Sequence, residues 1–172
     1  MEKLKKLLDR IFIDGLTGMA QGLFATLIVG TIIQQIGSLI GGNVGDMIFV
    51  LGKMAATFTG AGIGVGVAYR FKESPLVVLS AATAGMVGAF AAKLLAGSVL
   101  VDGAMVFAGP GEPLGAFLAA YVGIEFGHLV SGKTKVDILV TPIVTITAGS
   151  AVGLLVGPPI SEFMTALGAL IH

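Results

Sequence analysis

The feature that most constrains this chain is the alternation of long apolar segments with short gaps that contain charged residues. Five apolar segments lie at 15–40, 47–68, 75–95, 114–130 and 138–156. An α-helix rises about 1.5 Å per residue, so about 20 apolar residues cross a hydrocarbon core of about 30 Å. A charged fraction of 12 % and a mean hydropathy of +1.00 leave too little polar surface for a soluble globule. The pattern predicts an all-α polytopic membrane protein with about five transmembrane helices.

The basic residues lie mostly in every second gap, and this arrangement predicts an orientation. Cytoplasmic loops are enriched in Lys and Arg. The basic set precedes the first segment and continues in the second and fourth gaps: Lys3, Lys5, Lys6, Arg10, Arg70, Lys72, Lys133 and Lys135. We therefore predict that the N-terminus lies inside the cell and the C-terminus outside. Lys53 and Lys93 lie near the outer ends of their segments, where a long side chain can reach the headgroups.

The chain is predicted to form a single membrane domain over residues 1–172. Residues 1–14 carry apolar side chains at helical spacing against charged ones, which predicts an amphipathic helix in the inner membrane interface. Residues 15–157 form the predicted five-span bundle, and residues 158–172 a short C-terminal helix. The first apolar run is longer than the apolar region of a secretory signal peptide, so we expect it to remain as a membrane helix.

Several kinds of chemistry are excluded or unsupported by the composition. The chain has no cysteine, which excludes disulfides, thiolate metal sites and phosphoryl transfer through its own cysteines. No histidine and carboxylate pair has convincing metal-ligand spacing, and no serine or threonine has a credible triad partner. We therefore expect no metal, no cofactor and no catalytic residue. Anionic lipid headgroups explain the basic residues, so the bilayer and not nucleic acid is the expected partner.

The 27 glycines indicate close helix packing, because small residues let backbones approach within a bilayer. Gly149, Gly153 and Gly157 recur at every fourth position of the fifth segment, which predicts one packing stripe. The alternating glycines at 60–66 lack the spacing of a dinucleotide-binding loop. They favour a crowded or locally unwound helix, which is tolerated at membrane depth only against protein or a water-filled cavity.

Two Gly-Pro sites predict helix breaks that are followed by new helix starts. One lies at 109–113, before the fourth segment, and the other at 157–159, after the fifth. Proline is favoured in the first turn of a helix, and broken helices often build the substrate sites of transporters. These sites predict broken or re-entrant helices. The alternative is that both are ordinary turns at the outer surface.

Two groups of residues are candidate substrate sites. Gly111 and Pro113 flank Glu112, whose carboxylate could accept hydrogen bonds from a hydroxyl-bearing solute or act as a base. The alternative is a solvated acid near a helix start, where negative charge is favourable. Glu125 and His128 are three residues apart and therefore share one helix face. They could relay protons or bind a polar solute, or they could form an interfacial ion pair near the headgroups.

Four sequence strings carry a family resemblance that extends over essentially the whole chain. They are Gly-Glu-Pro-Leu-Gly-Ala at 111–116, Ser-Gly-Lys-Thr-Lys-Val-Asp-Ile at 131–138, Thr-Pro at 141–142 and Gly-Pro-Pro-Ile-Ser-Glu-Phe-Met at 157–164. In combination they resemble the enzyme IIC sugar permeases of the bacterial phosphotransferase system, of the perfringolysin-regulator type that is also described as putative toxin regulators. Such proteins are typically longer, and this chain resembles their N-terminal half.

The resemblance implies a multi-pass protein of the bacterial inner membrane that takes part in sugar transport. It places Glu112 in a sugar-binding loop, and it implies that separate cytoplasmic phosphotransferase components, IIA or IIB, phosphorylate the sugar. Five short spans enclose little volume, so we expect a homodimer or another homo-oligomer that binds and translocates a sugar-like solute. The alternatives are a membrane-embedded regulator or sensor without transport, and a structural partner of another membrane subunit.

Overall fold

The fold is almost entirely helical, as the apolar segments predicted. The computed structural model describes all residues from Met1 to His172. Its only strands form a short antiparallel hairpin in which Leu100 pairs with Met105 and Val101 with Ala104. The elements are α1 (Glu2–Asp9), α2 (Leu16–Leu23), α3 (Val29–Ile40), α4 (Gly42–Thr57), α5 (Thr59–Arg70), α6 (Pro75–Ala89), α7 (Ala91–Leu95), β1 (Leu100–Val101), β2 (Ala104–Met105), α8 (Pro113–Val130) and α9 (Asp137–Ile171).

The first three helices form one continuous helix of 39 residues, from Glu2 to Ile40. They are joined by π-helical stretches at Arg10–Gly15 and Phe24–Ile28. The predicted amphipathic helix over 1–14 is therefore not separate from the first span but continues directly into it. The physical reason is that the sequence before Gly41 contains no proline and no residue with a positive φ, so nothing interrupts the helical backbone.

Three helices are long and apolar enough to cross a membrane: Glu2–Ile40, Pro113–Val130 and Asp137–Ile171. A fourth span results if α4 and α5, which meet at an angle of 51°, are counted as one broken helix. The remaining predicted span corresponds to α6, an apolar helix of 15 residues, and to the short α7 that follows it. The break between α4 and α5 lies at Phe58, and the alternating glycines that follow it are helical, so they are crowded and not unwound.

The C-terminal helix corrects a second prediction. The sequence indicated a break at Gly157 and a separate helix over 158–172, yet α9 runs without interruption to Ile171 and contains Pro142, Pro158 and Pro159. Each proline removes one backbone donor. The residues on both sides of the two adjacent prolines include helix formers such as Leu154, Ala166 and Leu167. The helix therefore loses only the donors of the prolines and keeps its other backbone hydrogen bonds.

Glycines lie where helices cross, and their positions set how closely the backbones approach. A Cβ atom at Gly18 would lie 2.5 Å from the carbonyl oxygen of Gly66, so α2 and α5 meet with backbone against backbone. In α9, Gly149 would meet the carbonyl oxygen of Ala119 at 2.6 Å. Gly153 and Gly157 continue this buried stripe against α8, α6 and α7. Such contacts exclude any larger side chain.

The regions that the basic residues mark lie together at one end of the bundle, which we call the inner end. The Arg70 guanidinium donates to the Asp14 carboxylate at 3.0 Å, joining α5 to the N-terminal helix. The hydroxyls of Ser74 and Ser131 are 2.7 Å apart and join the α5–α6 turn to the end of α8. The opposite end, the outer end, carries the β-hairpin and the 109–113 segment. The direction in which the protein crosses the membrane remains a prediction from the basic residues.

Candidate functional site

The 109–113 segment is fixed against the end of α6 by its backbone. Gly111 has a φ of +78°, which favours glycine, and a Cβ atom there would lie 2.7 Å from the Cβ atom of Ala89. The backbone N–H of Glu112 donates to the carbonyl oxygen of Ala89 at 2.8 Å. The positive φ and the close approach to Ala89 require glycine at 111. The backbone hydrogen bond of Glu112 holds the following carboxylate in place.

Glu112 is the N-cap of α8. Its carboxylate accepts hydrogen bonds from the backbone N–H groups of Leu114 at 3.1 Å and Gly115 at 2.5 Å. Pro113 occupies the first turn of α8, so the helix start that the sequence predicted at this proline is confirmed. An ionised carboxylate offers about four lone-pair positions. The two capping bonds therefore leave acceptor capacity for hydroxyl groups of a solute.

A cavity of about 550 Å³ lies beside Glu112, and we call it the outer pocket. Its polar side chains are Glu112, Lys93, Ser161 and Thr165. The ammonium group of Lys93 donates to the carbonyl oxygen of Ala108 at 2.6 Å and lies 5.5 Å from the centre of the Phe90 ring. Binding pockets for small molecules typically measure about 300–1,000 Å³ and carry a few polar groups that fix orientation. One cation, one carboxylate and two hydroxyls suit an uncharged, hydroxyl-rich solute.

Three of the four polar side chains of the outer pocket were not predicted as part of it. Lys93 was placed at the headgroups, and Ser161 and Thr165 belonged to a predicted separate helix. Their four-residue spacing puts both hydroxyls on one face of α9. That spacing is visible in the sequence. It indicates a shared site only because α9 continues past Gly157, so that this face of the helix lies at the pocket.

Glu125 and His128 lie near the inner end of α8 and are not part of the outer pocket. At about 1.5 Å per residue, Glu112 and Glu125 are about 20 Å apart along the helix axis. The candidate residues predicted from the sequence thus fall into two groups at opposite ends of one helix.

At the inner end, Arg10, Glu73, Glu125 and His128 form what we call the inner polar cluster. The Arg10 guanidinium donates to Glu125 Oε1 at 3.0 Å and to Glu73 Oε1 at 3.2 Å. The other oxygen of Glu73 lies 2.8 Å from Nδ1 of His128. Glu125 and His128 are thus connected through Arg10 and Glu73. Each contacts a side chain of another element, and the two do not contact each other.

Glu73 is the central residue of this cluster, and the sequence did not single it out. Its side chain is only 4 % exposed, although it lies in a short turn among basic residues. Lys72 adopts a left-handed backbone with a φ of 57°, and the N–H of Glu73 then donates to the carbonyl oxygen of Ala68 at 3.1 Å. This turn directs Glu73 back into the bundle. Glu73 is a charged residue in a gap that contains basic residues, and nothing in the sequence indicates that its side chain is buried.

Comparison with known proteins identifies the relationship of the chain to one family. A family model described as "Phosphotransferase system, EIIC" matches residues 13–172. The match concerns the family as a whole and does not address the toxin-regulator type. No curated protein and no solved structure matches the chain.

Proposed function

This chain belongs to the phosphotransferase system EIIC family and is a membrane permease component of that type, and we propose that it binds an uncharged sugar-like solute in the outer pocket. We further propose that it carries this solute across the bacterial inner membrane. The observation that carries the proposal is the set of polar groups around Glu112, at the end of a helix that is long and apolar enough to span the membrane.

The outer pocket matches the chemistry of a sugar. Each sugar hydroxyl both donates and accepts, so it can donate to the Glu112 carboxylate and accept from the Lys93 ammonium group. Hydrogen bonds to charged groups contribute about 1.5–3 kcal/mol each. The two charges balance, so the pocket does not select for a charged solute. This proposal keeps Gly111 and Pro113 as the residues that hold Glu112 in position.

We propose that separate cytoplasmic components phosphorylate the solute, as membership of the EIIC family implies. We propose that IIA or IIB components meet this protein at its inner end. We also propose a homodimer or another homo-oligomer, because the few short spans of one protomer enclose little volume for a solute path. Protomers inserted in one direction would be related by a two-fold axis along the membrane normal.

The proposal is tested by uptake and phosphorylation of labelled sugars in vesicles that contain the protein and phosphotransferase IIA and IIB components. Glu112→Gln removes the charge and keeps the side-chain length. Glu162→Gln is the matched control, because Glu162 follows Ser161 in α9 and is exposed but does not line the pocket. We expect Glu112→Gln to weaken sugar binding by about tenfold to a hundredfold, which corresponds to 1.5–3 kcal/mol. Absence of uptake by the wild type would count against the permease, and equal uptake by both variants would count against the pocket.

A second candidate function is a membrane-embedded sensor that binds the solute without transporting it. The observation that favours it is that α8 carries Glu112 at one end and two members of the inner polar cluster at the other. A ligand at the outer pocket could therefore act on the inner loops through one rigid helix. Solute binding without uptake, in the same vesicles, would favour this sensor over the permease.

A further inference from the structure

An open pocket at the inner end contains charges of both signs. Its volume is about 700 Å³, and it is lined by Asp14, Tyr69, Arg70, Lys72 and Glu73. We call it the inner pocket. We propose that it binds the headgroup of a phospholipid that carries a phosphate and a primary amine, with an acyl chain in the groove that continues from the pocket. This inference does not depend on the transport function, because it requires only that the protein lies in a bilayer.

Two cations of the inner pocket are available to a phosphate. Lys72 is exposed and forms no ion pair within the chain. The Arg70 guanidinium donates to Asp14 at 3.0 Å, and its other N–H groups are free to donate to a ligand. Arginine and lysine both bind phosphate, and the exposed phenol of Tyr69 adds a further donor. The phosphate of a lipid can therefore be held from two or three sides.

The carboxylates of the inner pocket favour a zwitterion over an anion. Both oxygens of Glu73 are already paired, one with Arg10 and the other with His128. Asp14 uses one oxygen for Arg70 and can accept from an ammonium group with the other. Among the lining residues two positive charges, of Arg and Lys, balance two negative ones, of Asp and Glu, so an anionic headgroup gains no net attraction. A headgroup with one phosphate and one ammonium group matches this balance.

An apolar groove continues from the inner pocket along the N-terminal helix. A second cavity, of about 280 Å³, shares Tyr69 with the inner pocket, and a third, of about 570 Å³, shares Gln21 with the second. We call these two cavities the lipid groove. The helix rises about 15 Å from Asp14 to Phe24, which lines the far end of the groove. This is half of a hydrocarbon core of about 30 Å, so the groove has the depth of one leaflet.

Gln21 adds a polar contact within the lipid groove. Its side chain is exposed and has no hydrogen-bond partner within the chain. Gln21 is seven residues from Asp14, which is about 10 Å along the helix axis. A polar group that faces hydrocarbon without a partner costs free energy. The ester carbonyl groups of a phospholipid lie between its headgroup and its acyl chains, and one of them can accept from the Gln21 amide. Headgroup, ester and acyl chain thus each have a matching part of this surface.

Native mass spectrometry of the purified protein, titrated in detergent with phosphatidylethanolamine, tests the proposal. We expect one tightly bound lipid per protomer. Phosphatidylcholine, whose methylated amine cannot donate, and phosphatidylglycerol, which has no amine, should bind about tenfold more weakly, because each lacks the hydrogen bond to a charged carboxylate. Equal or tighter binding of either lipid would overturn the proposed headgroup. Soluble phosphoethanolamine that binds as tightly as the whole lipid would overturn the lipid groove.

Variants of the inner pocket test the two charges separately. Lys72→Gly removes the unpaired cation and suits the left-handed backbone at this position, so the variant should fold. We expect it to bind phosphatidylethanolamine about tenfold more weakly. Lys135→Gln, which removes an exposed cation outside the pocket, is the matched control and should bind like the wild type. Asp14→Asn should abolish the preference for phosphatidylethanolamine over phosphatidylglycerol. Unchanged affinity of Lys72→Gly, or an unchanged preference in Asp14→Asn, would contradict the site.

A variant of the lipid groove tests the acyl chain. Ala25 is exposed and lines the groove, so Ala25→Leu fills part of it without changing any charge. We expect this variant to bind all three lipids several-fold more weakly. Ala166→Leu, at an exposed position of α9, is the matched control and should have no effect. Circular dichroism shows whether each variant is folded. Equal lipid affinity of the folded Ala25→Leu and Ala166→Leu variants would mean that no acyl chain occupies the groove.

Discussion

The Glu73 carboxylate and the His128 imidazole are 2.8 Å apart, although 55 positions separate them in the sequence. This contact joins the turn between α5 and α6 to the inner end of α8. Arg10 reaches the same carboxylate from the N-terminal helix. Arg10 precedes the first apolar segment, Glu73 lies in the second gap, and His128 lies at the end of the fourth segment, beside the fourth gap. The distribution of basic residues assigned these regions to one side of the membrane. These regions lie together at one end of the bundle, as the distribution of basic residues predicts. The individual contacts between them were not predicted.

Replacing Glu73 by alanine should destabilise the protein. Arg10 and His128 would lose a nearly buried acceptor, while Arg10 would keep its contact with Glu125. We expect a loss of about 1–3 kcal/mol in the free energy of unfolding. Unfolding in detergent micelles measures this, with Glu162→Ala as the exposed control. Equal stability of the two variants would mean that the inner polar cluster does not hold the helices together.

Two glycines of α9, one packed and one exposed, allow the effect of an added methyl group to be compared within one helix. Gly149→Ala introduces a Cβ atom 2.6 Å from the carbonyl oxygen of Ala119, whereas nothing lies within 4 Å of a Cβ atom at Gly168. We expect Gly149→Ala to cost about 1–3 kcal/mol through overpacking. Gly168→Ala should be neutral or slightly stabilising, because alanine favours helix. Thermal unfolding of both variants in the same detergent checks this, and equal melting temperatures would contradict the predicted packing of α9 against α8.

The left-handed backbone at Lys72 predicts opposite effects for two substitutions. Glycine adopts a φ of 57° without strain, whereas valine at such a φ is strongly disfavoured. We expect Lys72→Gly to leave stability unchanged or slightly higher, and Lys72→Val to lower it by about 1–3 kcal/mol. Denaturant unfolding of the two variants measures the difference. If valine proved as stable as glycine, the α5–α6 turn would not have the backbone that directs Glu73 inward.

Two substitutions at Glu112 separate its capping role from ligand binding. Asparagine is among the best N-cap residues, whereas alanine offers no acceptor to the N–H groups of Leu114 and Gly115. Glu112→Ala should therefore lower the free energy of unfolding by about 0.5–2 kcal/mol, and Glu112→Asn should keep it close to that of the wild type. Helix content and unfolding midpoints report this. A stable alanine variant would show that the cap does not contribute to stability.

Much of the fold follows from residues that act locally. Apolar length predicts the helices, Pro113 predicts the start of α8, and the basic residues predict which ends lie together. The prolines at 158 and 159 misled the prediction, because the helix formers on both sides keep the backbone hydrogen bonds that the two prolines do not remove. The Gly-Pro pattern indicates a helix start, but it does not show whether the preceding helix also ends.

The candidate sites were predicted less completely, since they depend on contacts between distant residues. Glu112, with Gly and Pro beside it, is conspicuous in the sequence. Ser161 and Thr165 reach the outer pocket only because α9 stays helical, and Glu73 turns inward only because Lys72 adopts a left-handed backbone. A single sequence contains no pattern that indicates either event.

Saturation binding of labelled, uncharged sugars to the purified protein tests the central claim most directly. The wild type is compared with Glu112→Asn, which keeps the helix cap and removes the carboxylate, and with Glu162→Gln as the control. The account predicts saturable binding by the wild type and by Glu162→Gln, and binding by Glu112→Asn that is weaker by about tenfold or more. Equal affinity of a folded Glu112→Asn variant and the wild type would contradict the assignment of the outer pocket as the sugar site.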